Sequence, residues 1–217
     1  RQTFTKPVVL DYGHEAWRLQ PQQQIVGADS EWIPATFSDV REAAPAEVGG
    51  DITVGTFNVL NYFTALGEQE NGCKFYADRQ GNPTTTNYCR ARGAYNVESF
   101  ERQQAKIVAA INKLDASVIA LEEIEDSADF GKERDAALAH LVSELNKDAG
   151  AEKWAYVASP ESIPATGDDV IRTAFIYQPA EVSYVDGSTE ILDNPNFTNA
   201  RAPLAATFSP VAKLSLI

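Results

Sequence analysis

Carboxylates crowd one short stretch of this sequence, Ala116 to Asp126 (ASVIALEEIED), where a hydrophobic run passes without a break into acidic residues. Val118, Ile119, Ala120 and Leu121 follow a turn signal at Lys113 to Ala116 and read as a strand covered on both faces. Glu122 and Glu123 come next. If the strand continues, Glu123 shares a face with Ile119 and Leu121 while Glu122 points the other way, which holds one carboxylate at a sheet end beside the core. A carboxylate in that position can act on phosphate through a divalent cation, because the ion reverses the local sign of charge. The bland alternative is that Glu122, Glu123 and Glu125 are only the solvated edge of a strand.

A second polar group stands in a similar setting. Asp51 begins ITVGTFNVLNYF, a β-branched and aromatic run that reads as the first central strand, with Asn58 near its carboxyl end. A buried asparagine must find partners, so Asn58 is either tied to the backbone of the adjoining loop or presented to a ligand. Val97 to Leu114 carries Phe100, Ile107, Val108, Ile111 and Leu114 at helical spacing behind an Asn96 N-cap. Strand, helix and strand make a β-α-β unit, which is parallel and ends both strands at one edge, where open α/β sheets place their ligands. Asn58 and Glu123 are thus candidates for one site.

The elements around them follow from pattern and composition. With 217 residues and 44% hydrophobic content, the chain is long enough for one domain plus part of another. It starts at Arg1 and holds no methionine, so it reads as a piece of a longer product. Residues 1–24 contain two strand-like runs, PVVLDYG and EAWRLQP, around a turn region at Asp11 to His14. They read as the last strands of a preceding β domain. Residues 25–50 lack a period and collect Pro34, Pro45, Gly49 and Gly50, which marks a linker and puts the main domain at 51–217. A second helix is expected from Lys132 to Lys147, stopped by Gly150 and carrying His140 as a structural or surface residue. Strands are expected at Trp154 to Ala158, Val170 to Tyr177, Val182 to Val185 and Leu204 to Phe208, with a loop over Ser159 to Asp169. The alternation of strands and helices favours an α/β or α+β sandwich.

Charge and cysteine usage narrow the function. A net charge of −13 argues against a protein that grips nucleic acid through a broadly basic surface, and much less against a metal-dependent enzyme. No stretch is apolar enough to span a bilayer, and nothing demands an obligate protein partner. The two cysteines, Cys73 and Cys89, lie in a polar segment from Gly67 to Gly93. They form either a disulfide that holds this excursion or a pair of free thiols. CxxC spacing is absent and only two histidines occur, which disfavours zinc.

Taken in order, VGTFNVLNYF, CRARGAYNVESFERQQAKIVAAI, SVIALEEIED, GDDVIRTAFIYQP and NARAPLAATF resemble the endonuclease/exonuclease/phosphatase superfamily of deoxyribonuclease I-like enzymes, over about Arg41 to Phe208. Within it the match is to the large secreted bacterial nucleases. The resemblance implies a partial four-layer αββα sandwich, an OB-like origin for residues 1–24, and a metal-dependent nuclease acting on DNA, with RNA as a further candidate substrate. It implies that Glu123 binds the catalytic ion, magnesium with manganese or calcium as alternatives, and that Asn58 hydrogen-bonds around metal and phosphate. Asp169, Arg172 and Arg201 fall where the family keeps substrate-side residues. A secreted or surface location is implied too, consistent with a Cys73–Cys89 disulfide.

The family's later motifs, a histidine after the next strand, an Asp-x-Asn pair and a terminal Asp-His, have no counterpart here. VAKLSLI does not read as the family's continuation. In-line attack on a phosphodiester needs a positioned base for the water and a stabiliser for the leaving oxygen. The expectation is therefore a nuclease in the intact parent and little activity in this piece alone. The alternatives are a phosphoesterase of the same fold acting on a lipid or small phosphate ester, and a non-catalytic surface binding module.

Overall fold

The structure is a computed structural model that describes residues 2–27, 29–161, 169–192, 195–197, 201 and 203–212. Most of the expected loop before Asp169, parts of NARAPLAATF and the end of VAKLSLI lie outside the described residues. The chain forms two compact units, Arg1–Ala44 and Pro45–Ile217.

In the first unit β1 (Gln2–Phe4) pairs with β4 (Ala35–Phe37), and β2 (Val8–Gly13) pairs with β3 (Ala16–Pro21), both antiparallel. The hairpin turns at His14 and Glu15, whose φ values of 53° and 61° suit a tight two-residue connection. His14 is a surface turn residue, as its sequence context suggests. The stretch that looks like a linker supplies β4, because Ala35 is buried and the strand finds a partner far away in sequence.

The second unit contains β5 (Val54–Tyr62), β6 (Lys74–Ala77), β7 (Pro83–Asn87), α1 (Val97–Leu114), β8 (Val118–Glu125), α2 (Ala136–Ala149), β9 (Ala155–Tyr156), β10 (Ile171–Tyr177), β11 (Val182–Tyr184), β12 (Glu190–Ile191), β13 (Leu204–Ala205) and β14 (Phe208–Pro210). Its main sheet has the order β5-β8-β10-β9. β5 and β8 are parallel and β10 is antiparallel to β8. The β-α-β unit read from periodicity is therefore present, with α1 as its crossover.

Helix α1 starts where expected: the Asn96 side chain accepts the Ser99 N–H at 3.0 Å, meeting one of the donors a helix start leaves open. Ile107, Val108 and Ile111 of α1 and Leu138, Leu141, Val142 and Leu145 of α2 share one core with Ile119, Leu121, Ile124 and Ile176 of the sheet. Each such side chain contributes about 1.5–3 kcal/mol relative to an exposed one. Both helices thus cover one sheet face. On the other face Phe208 makes ring contacts with Phe175, Tyr177 and Tyr184, so β11 and β14 begin a second strand layer. Mixed α/β architecture of the expected sandwich type is the result.

Local differences have local causes. α2 begins at Ala136 rather than Lys132, because Ser127–Phe130 forms a 3-10 turn ended by left-handed Gly131. Ser127 Oγ then accepts the Ala137 N–H at 3.0 Å, which fixes the start of the helix. His140 bonds Gln104 at 2.9 Å beside Tyr62 and Phe100, a structural position. The strand expected at Trp154 to Ala158 pairs only over Ala155–Tyr156, and the one expected at Leu204 to Phe208 is two short strands, β13 and β14.

The cysteine-bearing excursion folds as the β6/β7 hairpin, tied by a Cys73–Cys89 disulfide with Cα atoms 4.9 Å apart. Closing a loop of this length stabilises by about 3 kcal/mol in the chain-entropy model. Cys73→Ser with Cys89→Ser should lower the urea-unfolding free energy by that order, while a loss under ~1 kcal/mol would mean the hairpin holds without the bridge.

Candidate active site

The parallel pair β5/β8 brings its two carboxyl ends to one edge, and the antiparallel β10 begins at that edge. Asn58 is the Cα partner of Glu122, one residue before Glu123, and Arg172 is the partner of Ile124. The sheet therefore brings together Asn58, Glu123 and Arg172, with Asp169 just ahead of β10.

Glu123 does not share a face with Ile119 and Leu121. Its φ is 63°, and the β8/β10 register shifts there, with Leu121 opposite Ala174 and Ile124 opposite Arg172. Two residues, Glu122 and Glu123, thus stand against Thr173 alone. Such a bulge changes the parity of the strand, so that Ile124 rather than Glu123 takes the next core position after Leu121. Left-handed backbone is costly for a non-glycine residue and gathers at functional sites. Glu122 and Glu123 are both half-buried, and neither carboxylate has a hydrogen bond or ion pair among the described residues.

β5 is irregular at the same level. Four steps from Asn58 to Tyr62 match two steps on β8, and Leu60 and Asn61 absorb the excess at φ 52° and 55°. Exposed Asn58 accepts the Leu60 N–H on its Oδ1 at 2.7 Å, so it is tied to the adjoining loop. Its Nδ2 makes no hydrogen bond among the described residues and can donate to a ligand. Gln103 of α1 holds the turn by donating to Leu60 O at 2.7 Å and Asn61 O at 3.3 Å.

Glu125 is not part of a solvated edge. It is fully buried and accepts from Thr64 Oγ1 at 3.1 Å, Ala65 N at 2.7 Å and Ser127 Oγ at 2.7 Å, with Lys132 Nζ at 3.5 Å. Its role is to tie the loop after β5 to the end of β8. That disposes of a reading in which all three glutamates are solvent-facing.

Of the substrate-side residues, Asp169 and Arg201 come together and Arg172 goes elsewhere. Asp169 bridges Arg92 and Arg201, each at 2.7 Å. Burial acts to raise its carboxyl, but Arg92, the Val170 N–H and Arg201 outweigh this and hold it below the ordinary carboxylate range. Arg172 is buried and bonds Asp135 at 2.8 Å as well as the Arg134 carbonyl. Its Nε and Nη1 have no partner among the described residues, nor does the buried Oδ1 of Asp126, whose carboxyl is pushed up by burial and only partly brought back by Arg172.

Arg92 was missed as a site residue, although it lies in the CRARGAY motif. The available signal was the glycine beside it: a Cβ on Gly93 would stand 2.7 Å from Phe63 Cβ and 2.9 Å from Asn61 O. Only glycine lets the Arg92 segment approach the end of β5 so closely.

The donor set suits a hard cation. Magnesium keeps several waters and is held through one or two carboxylates plus substrate phosphate, which Glu123 with its neighbour Glu122 could supply. Among the described residues no group of three or more His, Cys, Asp or Glu side chains could hold a metal ion, which does not fit a zinc cage.

Neither a family model nor a curated protein matches the sequence. Among solved structures the chain is similar to ANGEL2, a 2′,3′-cyclic phosphatase determined in complex with adenosine-2′,3′-vanadate, at 16% identity and a TM-score of 0.38. The alignment covers 74% of this chain and 38% of that one, so the chain spans well under half the length of that protein. A likeness of that size carries no argument about activity, which rests on the chain's own residues.

Proposed function

We propose that this protein is a divalent-metal-dependent phosphoesterase of the deoxyribonuclease I-like superfamily that hydrolyses phosphodiesters in nucleic acid, DNA and RNA. The observation that carries the reading is the Glu123 bulge: a half-buried carboxylate without a partner among the described residues, held in left-handed backbone one register step from Asn58. The ordered motifs VGTFNVLNYF, SVIALEEIED and GDDVIRTAFIYQP support the assignment to that superfamily.

Glu123 would anchor the ion, magnesium with manganese or calcium as alternatives. Bound there, the ion would polarise the phosphoryl oxygen and offset the charge that develops on it. Asn58 Nδ2 donates a hydrogen bond to a phosphate oxygen and so fixes its position. Arg92 and Arg201 supply positive charge for the ester, with Asp169 orienting both guanidinium groups. His140 does not serve as the base, because it is bonded to Gln104 beside Tyr62 and Phe100. No histidine among the described residues of the second unit is placed to activate water, and we expect the chain alone to bind ion and ester but to turn over little. The Cys73–Cys89 disulfide supports an oxidising location, secreted or on a bacterial surface.

Nicking of supercoiled plasmid tests the reading. A longer protein carrying this segment should nick in magnesium or manganese and lose that activity in EDTA and as Glu123→Gln. Intact plasmid under every condition, or nicking indifferent to EDTA, would overturn it.

A further inference from the structure

A cleft of about 550 Å³ opens between the end of β5, strand β7 and the first turns of α1. Its volume is that of a small-ligand site. Arg92, Arg102 and Lys106 line it and, among the described residues, no carboxylate does, in a chain whose net charge is −13. Positive charge is thus concentrated where the chain as a whole would repel an anion.

Arg92 is paired with Asp169, whereas Arg102 and Lys106 have no ion-pair partner among the described residues. Arg102 Nη2 bonds Ser99 Oγ at 3.0 Å, and buried Ser99 in turn donates to the Pro83 carbonyl at 2.8 Å, which braces the guanidinium at the cleft wall. Lys106 lies one helical turn further on, on the same face, and has no hydrogen bond or ion pair among the described residues. Asp78 lies within electrostatic reach of Arg102, but its carboxylate already accepts from Asn82 and Gln80. Asn61, also in the wall, carries a buried Oδ1 without a partner among the described residues, which can accept from a sugar or base donor.

Two connections join the cleft to the catalytic edge. Its wall includes the Leu60–Asn61 turn that follows Asn58, and Arg92 is shared with Asp169. A strand whose scissile phosphate sat at Glu123 would need a second grip of this kind to hold its direction. A small phosphate ester would have nothing to place there.

We propose that this cleft is the subsite for a non-scissile phosphate of a polynucleotide, held by Arg102 and Lys106, and that it selects nucleic-acid strands over small phosphate esters. The proposal rests on the phosphodiesterase reading and names its substrate class. Each cation set against a single strand releases condensed counterions, which makes its contribution readable in the salt dependence of binding.

The test is fluorescence anisotropy of a labelled oligothymidylate in EDTA over a range of salt concentrations, with Mn²⁺ binding titrated separately. Arg102→Gln with Lys106→Gln should weaken binding about tenfold at low salt and flatten the log–log salt slope by ~1.4, or 0.7 per cation. Lys106→Gln alone, which breaks no hydrogen bond or ion pair among the described residues, should give half of that slope change. Mn²⁺ affinity and the thermal melt should be unchanged, and Glu123→Gln should bind the oligonucleotide as well as the parent chain. Equal affinity and slope in parent and double variant would overturn the subsite. Loss of Mn²⁺ binding or of the folded melt in the double variant would overturn it too, by showing a structural role. Oligonucleotide binding that depends on Arg102 and Lys106 in a chain with no Mn²⁺ affinity would support the subsite while sinking the metal-dependent reading.

Discussion

Glu123→Gln should lower the affinity of this protein for Mn²⁺ or Mg²⁺ by at least ~100-fold, since groups that merely orient a metal's ligands cost 10–100-fold when lost. Glutamine keeps the shape of the side chain and removes its charge. Because the Glu123 carboxylate has no hydrogen bond or ion pair among the described residues, the substitution breaks no contact of the fold there. Stability should therefore stay within about 0.5 kcal/mol of the parent, as for substitutions remote from packing or paired charge. Glu123→Gly separates backbone from carboxylate further. The φ of 63° suits glycine, so this variant should fold no worse and bind metal as poorly as the glutamine variant. Electron paramagnetic resonance of Mn²⁺ at fixed protein concentration reads the free ion directly. An affinity unchanged in both variants would place the ion elsewhere.

How far the site was legible depends on which physical signal each residue leaves in the sequence. The β-α-β unit was readable because α1 has a helical apolar period and an Asn96 cap, and because the runs before and after it are β-branched. Those facts made Asn58 and Glu123 candidates for one edge without fixing their strands as neighbours; the adjacency comes from the register, which pairs Asn58 with Glu122, one residue before Glu123. The face of Glu123 was not readable. A bulge inserts one residue against a partner strand, and nothing in ALEEIE distinguishes it from uninterrupted alternation; here it comes with a non-glycine residue in left-handed backbone. The burial of Glu125 was unreadable for a related reason. Its burial is compensated by Thr64, Ala65 and Lys132, which come from segments that only the folded loop brings near. Asp169 and Arg201 were placed by motif, whereas their connection through Arg92 is a contact between three distant segments and leaves no local pattern. The first unit shows the same limit, since β4 owes its existence to β1 rather than to its own composition.

Arg172→Met should destabilise the second unit by about 3–5 kcal/mol, the loss expected when one member of a buried ion pair is removed. The motif puts Arg172 among substrate-side residues, but its side chain is only 7% exposed and is spent on Asp135 and the Arg134 carbonyl. Methionine fills much of the same volume, so packing loss is the smaller part of the effect. What remains is Asp135 without its partner and Asp126, 4% exposed, without the positive charge that partly offsets its burial. The pH dependence identifies the mechanism. Asp126 already has a folded-state pKa above its unfolded value, so its ionisation opposes folding as pH rises through that window. Removing Arg172 raises it further, and the destabilisation should grow from acid toward neutral pH. Adding Asp126→Asn, which removes the charge, should recover part of the loss at neutral pH and little in acid. Urea denaturation at the two pH values measures both variants. A substrate-contact role for Arg172 would instead leave stability within about 1 kcal/mol and pH-independent, and would appear only as weaker ester binding.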